Sequence, residues 1–168
     1  MPIARSLLPE FDHETRTTRT LIERIPEGRA DWKPHEKSMT LGQLAGHVTG
    51  MIKWATATIK LSELDLGLPE AAQYAPPQFE TTGALVEAFD ANVREARGAI
   101  SGVSDADLLE SWTLRNGGQI ILSMPRAAAL RSFVMNHHIH HRGQLSVYLR
   151  LLDVPIPSIY GPSADEGK

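Results

Sequence analysis

Apolar residues recur at helical spacing along four stretches of the chain. The first stretch runs from about Pro9 to Ile25, and Pro26 with Gly28 ends it. The second follows Thr40, which stands three residues before Gln43 as in a capping box. In both stretches the apolar positions fall on one side of a helix, so the pattern predicts amphipathic helices.

Two further stretches carry the same pattern. The third begins at Thr81 or Thr82 and continues to about Ile100. The fourth starts near Pro125, where the missing backbone donor costs nothing, and ends before Val154, which a proline follows. Amphipathic helices bury their apolar sides most simply against one another. The sequence therefore predicts an all-α fold, a four-helix bundle.

The connections between these helices are rich in proline, glycine and polar residues. Residues Glu63 to Glu80 predict a long loop, and loops of this length often form one wall of a pocket. A short helical turn at Ser104 and a small hairpin around Asn116 to Gly118 are expected before the last helix. The segment from about 155 to 168 predicts an irregular tail. A chain of 168 residues fits one domain, residues 1–168.

Composition and charge limit the partners of the chain. The formal net charge is −3, and no run of Lys and Arg is interleaved with aromatic residues, so nucleic acid is not an expected partner. No window approaches the roughly 18 apolar residues of a membrane span, and the first residues do not resemble a secretory signal. We therefore expect a cytoplasmic protein. The chain has no cysteine, so any metal must be held by histidine or carboxylate ligands.

Candidate chemistry is concentrated in NHHIHHRGQL, which holds four of the seven histidines. On a helical wheel, His137 and His141 lie about 40° apart within the sector that the apolar residues define. Gln144 falls in the same sector. His138 and His140 fall just outside its two edges. The wheel thus predicts two inward imidazoles, one turn apart, and two histidines at the rim.

The two inward histidines have the spacing that lets two imidazoles bind one ion, as in the HExxH helices of zinc enzymes. A third ligand must come from another helix. His47 is the only other histidine on a predicted core side, because His13 lies opposite the first helix's apolar stripe and His35 is in a loop. Three histidines leave at least one coordination position open, as in catalytic zinc sites.

Other polar residues near the cluster have candidate roles. His140 is a candidate acid or base, and Gln144 is a candidate to orient a ligand imidazole or a metal-bound water. His140 and Glu14 are the residues that could supply a fourth ligand. Arg142 and Arg150 point away from the cluster on the wheel, so both are expected to be surface or interface charges rather than substrate clamps. A bundle whose histidines bind no metal is an open alternative, because a single inward histidine is more often a hydrogen-bonded core residue.

The sequences WKPHEKSMTLGQLAGHV and NHHIHHRGQLSVYLRLLDVPIP resemble the DinB-like superfamily, and the resemblance extends from the first helix to the tail. It implies a four-helix bundle, commonly a homodimer, that holds a divalent ion through one histidine of the second helix and two of the last. That pattern falls on His47, His137 and His141, which the wheel also selects. Asp153 stands where relatives often have glycine.

The resemblance also implies a range of functions. Its better understood members include enzymes that use low-molecular-weight thiols, as transferases or as a maleylpyruvate isomerase. We expect a metal-dependent enzyme for a small-molecule substrate, either a thiol-dependent S-transferase or a hydrolase, in which the ion activates a bound water or thiol. The alternative is a metal-binding, stress-response or sensing bundle without catalysis. Imidazole suits zinc, nickel, iron and copper alike, so the metal is left open.

Overall fold

Helices form most of the structure, a computed structural model that describes residues 2–166. Its α-helices are α1 (Ile3–Ile22), α2 (Leu41–Met51), α3 (Lys53–Lys60), α4 (Thr82–Gly102), α5 (Asp105–Leu109), α6 (Arg126–Ala128) and α7 (His137–Leu151). Its strands are β1 (Glu63–Asp65), β2 (Ser111–Asn116) and β3 (Gln119–Pro125). A 3₁₀-helix spans Pro69–Tyr74, and a π-helical segment, Ala129–Asn136, joins α6 to α7 in one continuous last helix.

The four rods of the bundle are α1, the α2 and α3 pair, α4, and the last helix. α4 packs against α1, α2 and α3, while α7 packs against α1 and α2. Their apolar sides meet in one core around Phe11, Leu44, Phe89 and Leu145. The predicted four-helix bundle with a small hairpin before the last helix is confirmed. Within residues 2–166, no helix has the length and apolar character needed to cross a membrane.

Capping side chains set the starts of two of these helices. Thr40 Oγ1 accepts from the Gln43 amide and Gln43 Oε1 accepts from the Thr40 amide, which completes the predicted capping box of α2. At α4, Thr81 Oγ1 accepts from the Ala84 amide at 3.1 Å. Both starts therefore lie where the sequence predicts them.

α2 and α3 form one rod that is interrupted at Ile52. The side-chain amide of Asn92, a buried residue of α4, donates to the Thr49 carbonyl at 3.0 Å. In an unbroken helix that carbonyl accepts from the Lys53 amide. Insertion of a side chain into the helical hydrogen bonds is a common cause of such breaks, so Asn92 accounts for this one.

The first helix begins earlier than predicted, at Ile3 rather than near Pro9, and ends at Ile22. Proline inside a helix removes one hydrogen bond and is usually unfavourable, which is why it predicted the start. Here tertiary contacts stabilise the helical turns that precede Pro9. The Ile3 amide donates to Asp105 Oδ1 at 2.7 Å, and Ala4 is buried in the core.

The segment from Glu63 to Glu80, predicted as a loop, contributes a strand to a three-stranded sheet. β1 pairs parallel with β2, and β2 pairs antiparallel with β3 in the predicted hairpin. The Asp65 carboxylate accepts from the Gly117 and Gly118 amides at 2.8 Å each. β1 has three residues, which is too short for an alternating pattern to be recognised.

The π-helical segment lies directly before the histidine cluster. In a π-helix each amide bonds to the carbonyl five residues earlier, so one turn holds more residues than in an α-helix. The angular positions of Phe133 and Val134 on a helical wheel are therefore rotated relative to those of the residues in α7. As a result the buried side of α7 differs from the predicted sector: Leu149 is fully buried, whereas Leu151 is 56% exposed.

α7 ends in a Schellman motif, after which the tail is irregular as far as residue 166; the last two residues of the predicted tail, 167 and 168, lie outside the described residues. The Val154 amide donates to the Leu149 carbonyl at 3.0 Å, and the Asp153 amide donates to the Arg150 carbonyl at 3.1 Å. Asp153 has a φ of 58°, in the left-handed region that favours glycine.

Asp153→Gly should raise the free energy of unfolding by up to about 1 kcal/mol, because glycine adopts this backbone conformation without the strain of a side chain. Urea unfolding measures the change. Asp153→Ala is the matched control, since it removes the carboxylate and keeps the strain, and it should give no gain. Equal effects of the two substitutions would show that the left-handed conformation is not strained here.

Candidate metal centre

His47, on α2, meets His137 and His141, on α7, at the place where the two helices pack. Ring nitrogens of the three residues all lie within 4.8 Å of one another. The ring centroid of His141 lies 4.5 Å from that of His47 and 4.7 Å from that of His137. His47 and His137 are half-buried and His141 is 9% exposed. The structure thus brings together the three histidines that the sequence selects.

The two α7 histidines face each other through one nitrogen each. His141 Nε2 lies 2.9 Å from His137 Nε2, and His141 Nδ1 lies 2.7 Å from Gln144 Oε1. An amide oxygen only accepts, so His141 carries its proton on Nδ1 and directs the lone pair of Nε2 toward His137. Two nitrogens bound at 2.0–2.1 Å to one ion lie about 2.9–3.4 Å apart for coordination angles between about 90° and 110°. The pair therefore fits a shared ion.

Burial lowers the pKa of all three imidazoles. The pKa of His47 falls to about 4 because its ring is desolvated and because His141 and His137 are close. Desolvation also lowers the pKa of His137, with His141 and His140 adding to the effect. For His141, desolvation outweighs the hydrogen bond with Gln144, which raises its pKa. At neutral pH the three rings are uncharged, the form that binds a metal, so the cluster could hold a divalent ion.

The other candidate residues lie around this cluster. His140 is exposed, and its ring centroid lies 4.9 Å from that of His141. Gln144 contacts His141 as described, but it is exposed, so its predicted place on the buried side of α7 was wrong. Among residues 2–166, neither His140 nor Glu14 belongs to the group of converging donors.

His138 was predicted at the rim, and that prediction was wrong. The residue is 2% exposed, its Nε2 lies 2.7 Å from Thr18 Oγ1, and its ring stacks on Phe89 with centroids 6.1 Å apart. Complete burial lowers its pKa to about 3, so the ring is neutral. The rotation that the π-helical segment introduces turns His138 into the core, behind the three clustered histidines.

Arg142 was predicted on the surface and is 1% exposed instead. Its guanidinium lies 2.6 Å from Glu14 Oε2 and donates to the Glu14 carbonyl at 3.1 Å. It also donates to the Tyr160 hydroxyl at 2.6 Å, and that hydroxyl donates to Glu14 Oε2 at 2.8 Å. These bonds hold α7, α1 and the tail together next to His141. They also occupy Glu14, the suggested fourth ligand.

Two grooves meet at His47. The first is the more polar of the two, and we call it the polar groove. It has a volume of about 610 Å³ and is lined by Ala30, Asp31, Met39, Thr40, Gly42, Gln43, His47, Pro76, Pro77, Gln78 and Phe79. The second, which we call the apolar groove, has a volume of about 410 Å³ and is lined by His47, Trp54, Leu66, Leu68, Pro69, Ala71, Ala72, Tyr74, Ala75 and Pro76. Much of both linings comes from the predicted loop segment.

Glycines of α2 allow the predicted loop segment, Glu63 to Glu80, to pack closely against the helix. A Cβ atom at Gly46 would lie 2.1 Å from the Pro77 carbonyl oxygen, and one at Gly50 would lie 2.9 Å from Pro76 Cα. Neither distance is possible for a real side chain. Pro76, which lines both grooves, therefore rests on α2 beside His47 because the helix carries glycine there. The spacing of Gly42, Gly46 and Gly50, one every four residues, is the signal in the sequence that could have identified this contact.

Gly46→Ala should lower the free energy of unfolding by about 1–3 kcal/mol, because the new methyl group would displace the Pro77 backbone. The gain in helix propensity, about 1 kcal/mol, is smaller. Urea unfolding gives the difference. Gly98→Ala is the control, since a Cβ atom at that exposed α4 position has nothing within 4 Å, and it should stabilise the protein. Stabilisation by both substitutions would contradict the contact.

Comparisons of sequence and comparisons of structure relate this chain to the same family of proteins. The uncharacterized protein YrdA of Bacillus subtilis strain 168 is 24% identical over 167 residues, which cover 95% of this chain and 89% of the relative. A DinB-like protein from Bacillus cereus ATCC 10987 superposes with a TM-score of 0.67 at 20% identity, over 91% of this chain and 95% of the other. DinB-like YjoA from B. subtilis gives a TM-score of 0.65 at 22% identity, over 88% and 92%. The profile of the DinB family matches residues 1–168, and the chain therefore belongs to the DinB family.

Proposed function

We propose that this protein is a metal-dependent enzyme whose divalent ion is bound by His47, His137 and His141. The observation that carries the proposal is the convergence of three neutral imidazoles at the junction of two grooves. Among the described residues no fourth histidine or carboxylate joins the group. Three protein ligands leave room for water or substrate, as in catalytic zinc sites.

The residues around the cluster support such a role. When bound, the ion supplies Lewis acidity and lowers the pKa of a bound water or thiol. Gln144 fixes the orientation and the tautomer of His141 through the hydrogen bond to Nδ1. Trp54 and Phe133, which stack with centroids 4.7 Å apart, form an aromatic wall beside His137. His140, exposed next to His141, is the candidate to accept or donate a proton.

The proposal covers two reaction classes and several metals. Three imidazoles suit zinc, nickel or iron. Activated water would support hydrolysis of a small ester or amide, and an activated low-molecular-weight thiol would support S-transfer. The grooves are within the range of volumes that small-molecule sites have.

Metal analysis and turnover assays test the proposal together. Protein purified without a histidine tag and supplemented with zinc, nickel or iron should contain about one ion per chain. The loaded protein is then assayed against esters and amides, and against thiols with electrophiles. One ion per chain with no turnover of either class would contradict an enzyme and favour the metal-binding or sensing alternative.

His140→Gln tests the proton-transfer role within the same assays. It should lower kcat by roughly 10²-fold or more and leave the metal content unchanged, because the residue is near the site and outside the ligand group. A variant of comparable exposure elsewhere, His35→Gln, should leave both quantities unchanged. Unchanged kcat in His140→Gln would remove His140 from the mechanism.

The proposal includes a homodimer. Val147 and Leu151 lie one turn apart on the outer side of α7, and each is 56% exposed. Large apolar side chains exposed next to each other are typical of protein interfaces. Light scattering of the purified protein, with Val147→Glu as the variant expected to be monomeric, measures the association.

A further inference from the structure

We infer that the substrate is an elongated molecule whose apolar arm lies in the apolar groove and whose neutral or cationic polar arm lies in the polar groove. Its reacting bond lies between the two arms, at the three histidines. This inference rests on the proposed function and names the substrate class of the same site. It follows from the lining of the grooves and not from the ligand set.

The apolar groove exposes side chains that proteins usually bury. Leu66 is 38% exposed and Leu68 is 54% exposed, and both line the groove with Trp54 and Tyr74. A group of large apolar side chains left open beside a candidate site is typical of a ligand-binding surface. Its volume of about 410 Å³ is sufficient for an alkyl or aryl group.

The walls of the apolar groove are fixed before any ligand binds. Trp54 Nε1 donates to the Tyr74 carbonyl at 3.3 Å, and the indole stacks on Phe133. The Leu68 amide donates to the Asp65 carbonyl at 3.1 Å, and the Ala71 amide donates to the Leu68 carbonyl at 3.0 Å. A preformed groove costs a ligand little ordering entropy, so burial of apolar surface there contributes to binding.

The polar groove presents hydrogen-bonding groups and one charged residue, Asp31. Asp31 lines it and makes no ion pair with any residue between 2 and 166. Gln43 Oε1 is engaged by the Thr40 amide, which leaves the NH₂ group of Gln43 free to donate. In the part of the chain that the structure describes, residues 2–166, no Lys or Arg lines either groove. A carboxylate or phosphate on this arm would face Asp31 with no cationic side chain of the described residues beside it, whereas a hydroxyl, amide or ammonium group would find a partner.

N-substituted hydroxamic acids are suitable probes, because the hydroxamate binds the metal and carries one arm on each side. The acyl arm is lengthened from acetyl to octanoyl, and the nitrogen arm ends in trimethylammonium, hydroxyl or carboxylate. Affinity for the Zn²⁺-loaded protein, measured by calorimetry, should rise about twofold to fourfold per methylene. The trimethylammonium probe should bind about tenfold more tightly than the carboxylate probe at low salt.

Two variants test which groove causes each preference, the one for a long acyl arm and the one for a cationic nitrogen arm. Leu68→Asp should remove the dependence on acyl length, while the zinc content stays at about one ion per chain because Leu68 lies outside the histidine group. Asp31→Asn should remove most of the difference between trimethylammonium and carboxylate. Leu109→Asp, at a position that is 64% exposed and outside both grooves, is the control and should change neither.

An affinity that does not depend on acyl length, or a preference for the carboxylate probe, would overturn the inference even if the protein is an active enzyme. Zinc content far below one ion per chain would instead overturn the proposed function. The probes are therefore also titrated into metal-free protein, with the NMR shifts of the Leu68 and Asp31 amides as readout. Shifts at both amides with the same two preferences support the inference independently of the metal, and their absence contradicts it.

Discussion

Arg142→Ala should lower the free energy of unfolding by about 3–5 kcal/mol, the typical cost of removing one partner from a buried ion pair. The substitution leaves the Glu14 carboxylate, 6% exposed, without its counter-charge. It also removes hydrogen bonds to the Glu14 carbonyl and the Tyr160 hydroxyl. Urea unfolding of the metal-free protein measures the loss without a contribution from the ion.

Two comparisons make this result specific to the buried pair. Arg150→Ala breaks a solvent-accessible pair with Asp165, whose side chains are 47% and 26% exposed, and should have a much smaller effect because water screens that pair. The double variant Arg142→Met with Glu14→Leu should recover much of the lost stability, because apolar residues of similar volume replace buried ion pairs well. If Arg142→Ala and Arg150→Ala had equal, small effects, the Arg142 guanidinium would not be buried in solution.

Hydrophobic periodicity and capping motifs were sufficient to predict the four-helix bundle, because both are local properties of the sequence. The capping box at Thr40 fixes where α2 begins, and therefore fixes the direction of His47 two turns later. His137 and His141 both lie within α7, where the regular wheel applies, so their relation to each other was predicted correctly. The prediction that these three residues converge thus depended on short, regular stretches of helix.

The environments of His138 and Arg142 could not be predicted in this way. Their burial depends on the phase of α7 relative to the core, which the π-helical segment changes, and RAAALRSFVMN carries no proline or glycine to indicate it. The pairing of Arg142 with Glu14 further requires α1, α7 and the tail to meet. Such contacts between distant segments leave no periodic signal in a single sequence.

The grooves depend on tertiary contacts in the same way. The segment that holds Leu66, Leu68 and Pro76 has no periodicity, and its position follows from a strand pairing of three residues and from contact with the α2 glycines. The three clustered histidines were therefore accessible from the sequence, whereas the walls of the two grooves beside them were not.

His141→Ala and His138→Ala should separate metal binding from stability, although the two residues are both buried in the same helix. His141→Ala removes one of the three proposed ligands and should lower metal affinity by more than about a hundredfold, since even residues that only orient ligands contribute 10–100-fold. His138→Ala should keep one ion per chain, because His138 bonds to Thr18 rather than to the cluster. It should lower the free energy of unfolding by about 2–4 kcal/mol through the cavity it leaves in the core.

Elemental analysis and unfolding with and without Zn²⁺ measure the two effects separately. Zinc at 100 times its Kd should stabilise the wild-type protein and His138→Ala by about 2.7 kcal/mol, and should give His141→Ala far less. In metal-free protein His138→Ala should be the less stable of the two variants, because it alone leaves a cavity in the fully buried core. Loss of zinc from both variants to the same extent would mean that His138 belongs to the metal centre, and retention of zinc by His141→Ala would remove His141 from the ligand set.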